Sequence, residues 1–236
     1  MNTSPEPWPA SEVMRRAAQA TAIMGFMTDQ VDHELLRAAP RLQIVACALK
    51  GYDNYNVQAC TQAGVWLSIV PDLLTEPTAE LAVGLAIALA RHVRQGDAYV
   101  RSGNFAGWRT HFYGSGLHGS VAAVVGLGLV GRAIVQRLAG FGCARVLGVD
   151  PDATPAGLEM VALEVAAQQA DFLFVAAPLT ATTHHLMGEP QFEQARAGQL
   201  LINIGRGSVV DESAVTRALK AGRLAGYAAD VFVGHL

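Results

Sequence analysis

Three closely spaced glycines between two apolar stretches constrain this chain more than any other feature. The stretch Val121–Val125 is apolar throughout and predicts a strand buried on both faces. An amphipathic helix is predicted from about Leu129 to Gly140, and a second strand over Arg145–Val149 ends on Asp150. The turn before the helix has the spacing G-x-G-x-x-G, at Gly126, Gly128 and Gly131. This order predicts a dinucleotide-binding unit; the alternative is a glycine-rich turn in another kind of α/β protein.

Each part of this unit has a physical role in holding a dinucleotide. Gly126 permits a tight turn, Gly128 lets a pyrophosphate approach the backbone, and Gly131 lets the helix pack close to the strand. The helix N-terminus offers unpaired N–H groups to phosphates. Asp150 lies about 20 residues further on, where a carboxylate accepts the ribose hydroxyls and repels a 2′-phosphate. The pattern therefore favours NAD over NADP.

The composition is that of a globular protein and excludes several functions. Of the 236 residues, 51% are hydrophobic and 16% charged, which suits one large or two small domains. A net charge of -3 offers no broad basic field for nucleic acid, and neither a membrane-spanning run nor a signal-peptide pattern is found. The cysteines are expected to be buried free thiols of a cytoplasmic protein, at Cys47, Cys60 and Cys143.

The first third of the chain alternates predicted strands and helices. In chain order these are a helix capped by Ser11, a strand over 21–26, a helix capped by Asp32 over 32–39, a strand over 42–47, a helix over 57–63 and a strand over 65–69. This order predicts a small parallel sheet in a partial substrate domain, residues 1–74. Lys50 follows the second strand, at the carboxyl edge where parallel sheets bind ligands.

A long apolar helix separates this part from the glycine motif. It is predicted over Thr78–Val100, with Pro77 opening it, and it is apolar over most of its surface. A helix apolar nearly all round must be buried, between domains or against a partner chain, so we expect a homodimer. An aromatic, glycine-rich loop follows over residues 102–119.

The remainder of the chain continues the alternation after Asp150. Strands are predicted over 159–163, 171–176, 199–203 and 224–230, and helices over 164–170, 189–195 and 212–221, the last capped by Asp211. The fold class is therefore α/β, with a doubly wound parallel sheet in a dinucleotide-binding domain over residues 75–236.

Three stretches resemble the NAD-dependent D-2-hydroxyacid dehydrogenases: GLGLVG, PLTATTHHL and, above all, NIGRGSVVDESAV. Within that family, ACALKGYDNYNVQAC, WLSIVPDLLTEPTAELAVGLA and AYVRSGNFAGWRTHFYGSGL are similar to the phosphite dehydrogenase subgroup. The resemblance implies a Rossmann-type nucleotide domain beside a smaller, incomplete flavodoxin-like α/β substrate domain. It also implies oxidation of phosphite with NAD+ and water; the alternatives are a D-2-hydroxyacid dehydrogenase and a non-catalytic, NAD-binding dimeric remnant.

Two cations are the candidate substrate anchors and catalytic residues. The family usually has a small uncharged loop where this chain has Lys50 and Gly51, and an added ammonium suits a compact tetrahedral anion such as phosphite. Arg206 stands between two glycines that free its backbone to turn, and it matches the family's anion-binding arginine. The alternatives are a solvated surface lysine and an arginine paired with Asp211 or Glu212.

The resemblance implies further site residues. The substrate pocket would include Met27, Trp108 and Tyr113, for each of which ordinary packing is the alternative; His111 departs from the subgroup's pattern. Asp230 would hold the nicotinamide carboxamide, or else cap a strand. The positions implied to line the cofactor are Thr78, Gly126, Gly128, Leu129, Val130, Gly131, Asp150, Pro178, Leu179, Thr183 and Asp230.

The family's general base is a histidine in a P-H-[ITS]-[GA] motif, which this sequence does not contain. His235 lacks that context and is not expected to be the base. We therefore expect a chain truncated at both ends, its nucleotide domain lacking a C-terminal part and its turnover impaired. No metal is expected in the site.

Overall fold

The computed structural model describes Ser4 and residues 6–26 and 28–233. The chain divides into an N-terminal unit, Met1–Leu74, and a C-terminal unit, Thr75–Leu236. Both are built from parallel strands with helices between them, so the predicted α/β class is confirmed.

Within its described residues, the N-terminal unit has one parallel sheet of three strands in chain order: β1 Ala22–Gly25, β2 Ile44–Cys47 and β3 Trp66–Ser68. Its helices are α1 Ala10–Ala17, α2 His33–Ala38 and α3 Val57–Gln62. Asp32 caps α2, as predicted, by accepting the N–H groups of Glu34 and Leu35. The prediction that Ser11 caps the first helix is wrong, because α1 already begins at Ala10 and Pro9 precedes it.

The C-terminal unit has one parallel sheet whose six described strands lie in the order β6-β5-β4-β7-β8-β9. The strands are β4 Val121–Val125, β5 Arg145–Val149, β6 Glu159–Met160, β7 Phe172–Val175, β8 Gln199–Asn203 and β9 Leu224–Ala229. This is the doubly wound order in which the direction of winding reverses between the first and fourth strands, here β4 and β7. Ligands of such sheets bind at that reversal, beyond the carboxyl ends of the strands.

Helices cover both faces of this sheet. They are α4 Thr75–Ala90, α6 Leu129–Leu138, α7 Leu163–Gln169, α8 Glu189–Glu193 and α9 Glu212–Lys220; a further helix, α5 Val93–Arg101, follows α4 and has no buried residue. Successive residues of β4 belong to cores on opposite faces of the sheet. Val124 lies in one core with residues of α4 and α6, and Val125 lies in the other with residues of α7, α8 and α9. A sheet covered in this way explains why its strands read as continuous apolar runs.

The prediction of one helix over Thr78–Val100 is wrong. Helix α4 begins at Thr75, with Pro77 in its first turn, and a break at Arg91 and His92 separates it from α5. His92 has left-handed backbone geometry, with φ of 52°. Nor is this region buried all round, because none of the residues of α5 is buried and α4 exposes Leu81 and Ile87.

Residues 102–116 form an irregular, exposed segment after α5, and we call it the aromatic segment. Tyr99 on α5 packs its ring against Phe105, His111 and Phe112, with centroids 5.2–6.4 Å apart. Trp108 and Tyr113 leave 82% and 84% of their surfaces exposed.

The structure also bears on the predictions for the cysteines and for membrane-spanning segments. Cys47 and Cys60 are buried free thiols, whereas Cys143 is only partly buried. Across the described ranges, no helix combines the length and the apolar character that crossing a bilayer requires.

Candidate active site

In the turn between β4 and α6, close packing explains why two of the three glycines are needed. Gly126 has a φ of +90°, and a Cβ there would lie 2.7 Å from the backbone nitrogen of Ala177. A Cβ on Gly131 would lie 1.9 Å from the carbonyl oxygen of Gly126, so only glycine lets the helix approach the strand this closely. The predicted turn and close packing are therefore confirmed.

Gly128 is different, because a Cβ added to it would meet no atom within 4 Å. It is exposed and forms the N-cap of α6, whose first turn receives no side-chain cap from the described residues. No described side chain accepts the N–H groups of this turn, including those of Leu129 and Val130, so they are suited to the phosphates of a dinucleotide.

Asp150 lies at the carboxyl end of β5, beside this turn. One carboxylate oxygen accepts the N–H of Leu127 at 2.7 Å, and the other accepts those of Asp152 and Ala153 at 2.9 Å. Burial alone would raise the pKa of Asp150, but these three hydrogen bonds and the charge of Arg132 hold it below its usual value. The side chain is thus fixed and ionised, as a ribose acceptor should be.

Arg206 follows β8 in a turn that the structure holds tightly. Its carbonyl oxygen accepts the Asn203 side-chain amide at 3.0 Å, and the Asn203 oxygen accepts the N–H of Gly205 at 3.1 Å. The guanidinium donates to the Gly205 carbonyl at 2.8 Å and is partly buried. Sequence reasoning missed Asn203, although a fully buried asparagine ending a strand is the kind of residue that braces a turn.

The glycines on either side of Arg206 do not free its backbone to turn, contrary to the prediction from the sequence. Neither has a positive φ, so backbone freedom is not what the turn needs. A Cβ on Gly205 would lie 2.5 Å from the carbonyl oxygen of Ala177, and one on Gly207 would lie 2.4 Å from the carbonyl carbon of Phe232. The glycines are small so that this turn can fit between its neighbours.

Lys50 lies in the N-terminal unit, in the bend that follows β2. Its side chain is exposed. The backbone on either side is held by hydrogen bonds: Val70 donates its N–H to the carbonyl of Leu49, and the Cys47 thiol donates to the carbonyl of Gly51 at 3.4 Å. An ordered backbone with an exposed ammonium at the carboxyl edge of a parallel sheet can hold a small anion.

The other candidate cofactor residues lie in the C-terminal unit. Pro178 and Leu179 follow β7, and the Thr183 hydroxyl donates to the Pro178 carbonyl at 2.5 Å, which closes this loop. Asp230 follows β9 with an exposed side chain, and Thr78 is half-buried on α4. Met27 and His235 lie outside the described residues.

Several side chains of the C-terminal unit thus meet at the carboxyl ends of its strands. The turns after β4 and β7 come together at Gly126 and Ala177, and the turn after β8 joins them at Gly205. With Asp150 beside Leu127, this edge offers phosphate donors, a fixed acceptor for ribose hydroxyls and the Arg206 turn.

Comparisons with known proteins identify the family of this chain. The family described as D-isomer specific 2-hydroxyacid dehydrogenase, NAD binding domain, matches residues 83–235. The chain is 37% identical over 237 residues to the glyoxylate reductase of Thermococcus litoralis, covering 97% of this chain and 72% of that enzyme. It is 36% identical to the glyoxylate reductase of Pyrococcus horikoshii, covering 95% of this chain and 70% of that enzyme.

Solved structures show the same similarity. The TT0316 protein from Thermus thermophilus superposes with a TM-score of 0.91 at 32% identity, covering 96% of this chain and 73% of that one. The D-lactate dehydrogenase from Aquifex aeolicus, complexed with NAD and lactic acid, gives 0.86 at 26% identity, covering 93% of this chain and 66% of that one.

Proposed function

Because the chain belongs to the D-isomer specific 2-hydroxyacid dehydrogenase family, whose members are NAD-dependent, we propose that it transfers hydride between NAD and a small anion, and that this anion is phosphite. The observation that carries the choice of phosphite is Lys50, an exposed ammonium on an ordered loop at the carboxyl edge of the N-terminal sheet.

The residues of the glycine turn fit NAD and would hold it. The open space at Gly128 and the uncapped start of α6 suit the pyrophosphate, and the ionised Asp150 suits the adenosine ribose. Bound NAD+ supplies the hydride acceptor. Thr78, Pro178, Leu179, Thr183 and Asp230 are proposed to line the rest of the cofactor.

Two cations are proposed to hold the substrate. Arg206 presents a planar fork of donors on a braced turn, which suits two oxygens of one anion. Lys50 adds a compact point charge, which attracts a doubly charged tetrahedral anion more strongly than a planar carboxylate. Gly51 and Met27 of the N-terminal unit, and Trp108 and Tyr113 of the aromatic segment, are proposed as further substrate-binding residues.

A second candidate substrate is a 2-oxo or 2-hydroxy acid. The observation that favours it is that the relatives reported above are named glyoxylate reductases. The same cofactor site and Arg206 serve this reaction, with Lys50 contacting the carboxylate. The two candidates therefore differ in substrate and not in cofactor.

The partner chain is proposed to be a second copy. Apolar side chains that a lone chain leaves in water support this, among them Leu81 and Ile87 on α4 and Trp108 on the aromatic segment. Light scattering after gel filtration is expected to give twice the 24.9 kDa of one chain, and a monomer at micromolar concentration would contradict it.

The test of function follows NADH absorbance with the purified protein. Phosphite plus NAD+ is compared with D-lactate and D-glycerate plus NAD+, and with glyoxylate plus NADH. We expect phosphite to give the highest kcat/KM. Higher kcat/KM on the organic acids supports the second candidate, and NAD binding without turnover of any anion contradicts both.

The sequence offers a matched control for the lysine, since its only two lysines are Lys50 and Lys220. Lys50→Ala is expected to lower kcat/KM for phosphite at least tenfold, whereas Lys220→Ala, at the exposed end of α9, leaves it unchanged. Arg206→Ala is expected to cost about 2–4 kcal/mol of transition-state binding. A near-normal kcat/KM in either Lys50→Ala or Arg206→Ala would remove that residue from the site.

A further inference from the structure

Two loops leave the carboxyl edge of the N-terminal sheet side by side. Gly25 ends β1 and is the register partner of Cys47, which ends β2. The first loop, residues 26–31, contains Met27, and the second, residues 48–54, contains Lys50 and Gly51. All three are candidate substrate residues, so the spacing of these loops would set the shape of the anion site.

The carbonyl oxygen of Phe26 is the point where the loops are joined. It accepts the N–H of Asp29 at 3.2 Å, the hydroxyl of Tyr55 at 3.0 Å and the side-chain amide of Asn54 at 3.3 Å. Asn54 is the last residue of the second loop, and Tyr55 follows it directly. Asn54 also donates to the carbonyl of Asp29, and the Asp29 carboxylate accepts the N–H of Phe26 at 2.7 Å. The first loop is therefore bonded to the second through the carbonyls of Phe26 and Asp29.

Tyr55 is placed for this contact by burial and by a glycine. Its side chain is 3% exposed. A Cβ on Gly25 would lie 2.6 Å from the Tyr55 hydroxyl oxygen, so glycine at the end of β1 leaves room for that hydroxyl. Burial, and then the neighbouring Cys47 thiol and Asp29 carboxylate, raise the pKa of Tyr55. The hydroxyl therefore stays protonated and remains a donor at any working pH.

Backbone pairing supports the same junction from both sides. Val31 donates its N–H to Asn54 at 3.1 Å, and Asn56 donates to Val31 at 2.8 Å, which pairs Val31 with Tyr55. On the second loop, the Cys47 thiol donates to Gly51, and Tyr55 donates its N–H to Tyr52 at 2.9 Å. The hydroxyl of Tyr55 thus adds a side-chain link to loops whose ends are already aligned.

We propose that the Tyr55 hydroxyl is a positioning group: through the Phe26 carbonyl it fixes Phe26 and residues 28–31 against the loop 48–54, and so holds Lys50 and Gly51 in one geometry. The role for substrate rests on the function proposed above. Tyr55 acts through Phe26 and does not itself contact the anion.

Tyr55→Phe tests this, because it removes one oxygen and keeps the ring in place. KM for the preferred anion is expected to rise at least fivefold, while kcat stays within twofold and the Kd of NAD is unchanged. The matched control is Tyr52→Phe, which removes the same atom from a side chain that is 45% exposed in the same loop. A purely structural role would lower the melting temperature and leave KM alone.

Hydrogen exchange gives a readout that does not depend on activity. Amides of residues 26–31 are expected to exchange at least tenfold faster in Tyr55→Phe than in Tyr52→Phe, with α6 unaffected. Unchanged exchange overturns the proposal, and faster exchange with an unchanged KM overturns its role for substrate. If the unmodified protein turns over no anion, the proposed function fails, and the exchange data alone decide whether Tyr55 fixes the loops.

Discussion

At the scale of single residues, Gly128 and Gly131 meet opposite demands although they belong to one motif. A Cβ on Gly131 would collide with the backbone of Gly126, whereas a Cβ on Gly128 would enter open space. The protein itself therefore constrains Gly131, and we propose that bound NAD constrains Gly128.

Alanine at these two positions should separate folding from binding. Gly131→Ala is expected to cost about 1–3 kcal/mol of stability, because the helix must move off the strand. Gly128→Ala should cost less than about 1 kcal/mol yet weaken NAD binding at least tenfold. Urea unfolding and NAD titration measure the two effects. Equal loss of stability in both variants would contradict this division.

The Asp150 carboxylate is expected to make the stability of the protein depend on pH. Its pKa is lowered in the folded state, so its stabilising contribution is present above the unfolded pKa, about 3.9, and is lost as pH falls through the lower folded pKa. Asp150→Asn is therefore expected to lose about 1 kcal/mol at pH 7, and the difference from the unmodified protein should shrink toward zero near pH 2.

The measurement is urea unfolding at several pH values, with Asp152→Asn, an exposed neighbour, as the control. A loss that is the same at pH 7 and near pH 2 would show that the three N–H bonds do not depend on the charge. The variant should also shift the ratio of NAD to NADP affinity toward NADP, because the repulsion of a 2′-phosphate is removed.

Single residues also show what the sequence could and could not predict about the site. The glycine spacing predicted the position of the turn and of Asp150, because the geometry of such a turn depends on the types of residue within it. Asn203 was missed although its partners, Gly205 and Arg206, are close to it in sequence. Tyr55 was missed because its partner depends on folding: its hydroxyl donates to the Phe26 carbonyl, 29 positions away. Long-range hydrogen bonds of this kind leave no periodic signal in a sequence.

At the scale of elements, Gln199 at the start of β8 ties the sheet to a helix. It is fully buried, and its amide donates to the carbonyls of Ala167 and Ala170 at 2.8 Å. These carbonyls lie at the end of α7, where intrahelical partners run out. The side chain thus ends the helix and fixes it against the strand.

Gln199→Leu is expected to lower stability by about 1–3 kcal/mol, because the Ala170 carbonyl loses the Gln199 donor and the Ala167 carbonyl keeps only the N–H of Arg196. Gln168→Leu, at an exposed position on α7 itself, should change it by less than about 0.5 kcal/mol. Both are measured by urea unfolding followed by circular dichroism. If Gln199→Leu lowers stability no more than Gln168→Leu does, water replaces the Gln199 amide as the donor to these carbonyls.

Elements were predicted well where the apolar pattern stops at a clear boundary. Val121–Val125, Arg145–Val149 and Gln199–Asn203 are strands over the predicted residues. The helix break at His92 was missed, because a left-handed histidine carries no glycine or proline signal. The apolar pattern of α4 also ends near that point, where Val93–Arg101 becomes largely exposed.

At the scale of the whole molecule, the two units have separate cores. The cluster of the N-terminal unit lies between Ala17 and Val65, and those of the C-terminal unit lie between Ala79 and Leu224. The six-stranded sheet is covered by helices on both faces, as a parallel sheet requires. The three-stranded sheet instead exposes Trp66 by 77% and Met24 by 67%.

This difference predicts how fragments behave. Residues 75–236 expressed alone should fold cooperatively and bind NAD within about threefold of the full chain's affinity, because every candidate cofactor residue lies there. They should not turn over substrate, since Lys50 is absent. Residues 1–74 alone should be marginal and prone to aggregate, because an apolar sheet face stays in water.

Calorimetry and NAD titration of the two fragments measure this, with Gly128→Ala in the larger fragment as a variant expected to lose binding. A fragment 75–236 that fails to fold would show that its stability depends on the N-terminal unit despite the separate cores. A folded fragment that fails to bind NAD would instead place part of the cofactor site before Thr75. Cooperative folding with intact NAD binding is expected, because both the packing and the glycine turn of that unit are satisfied by its own residues.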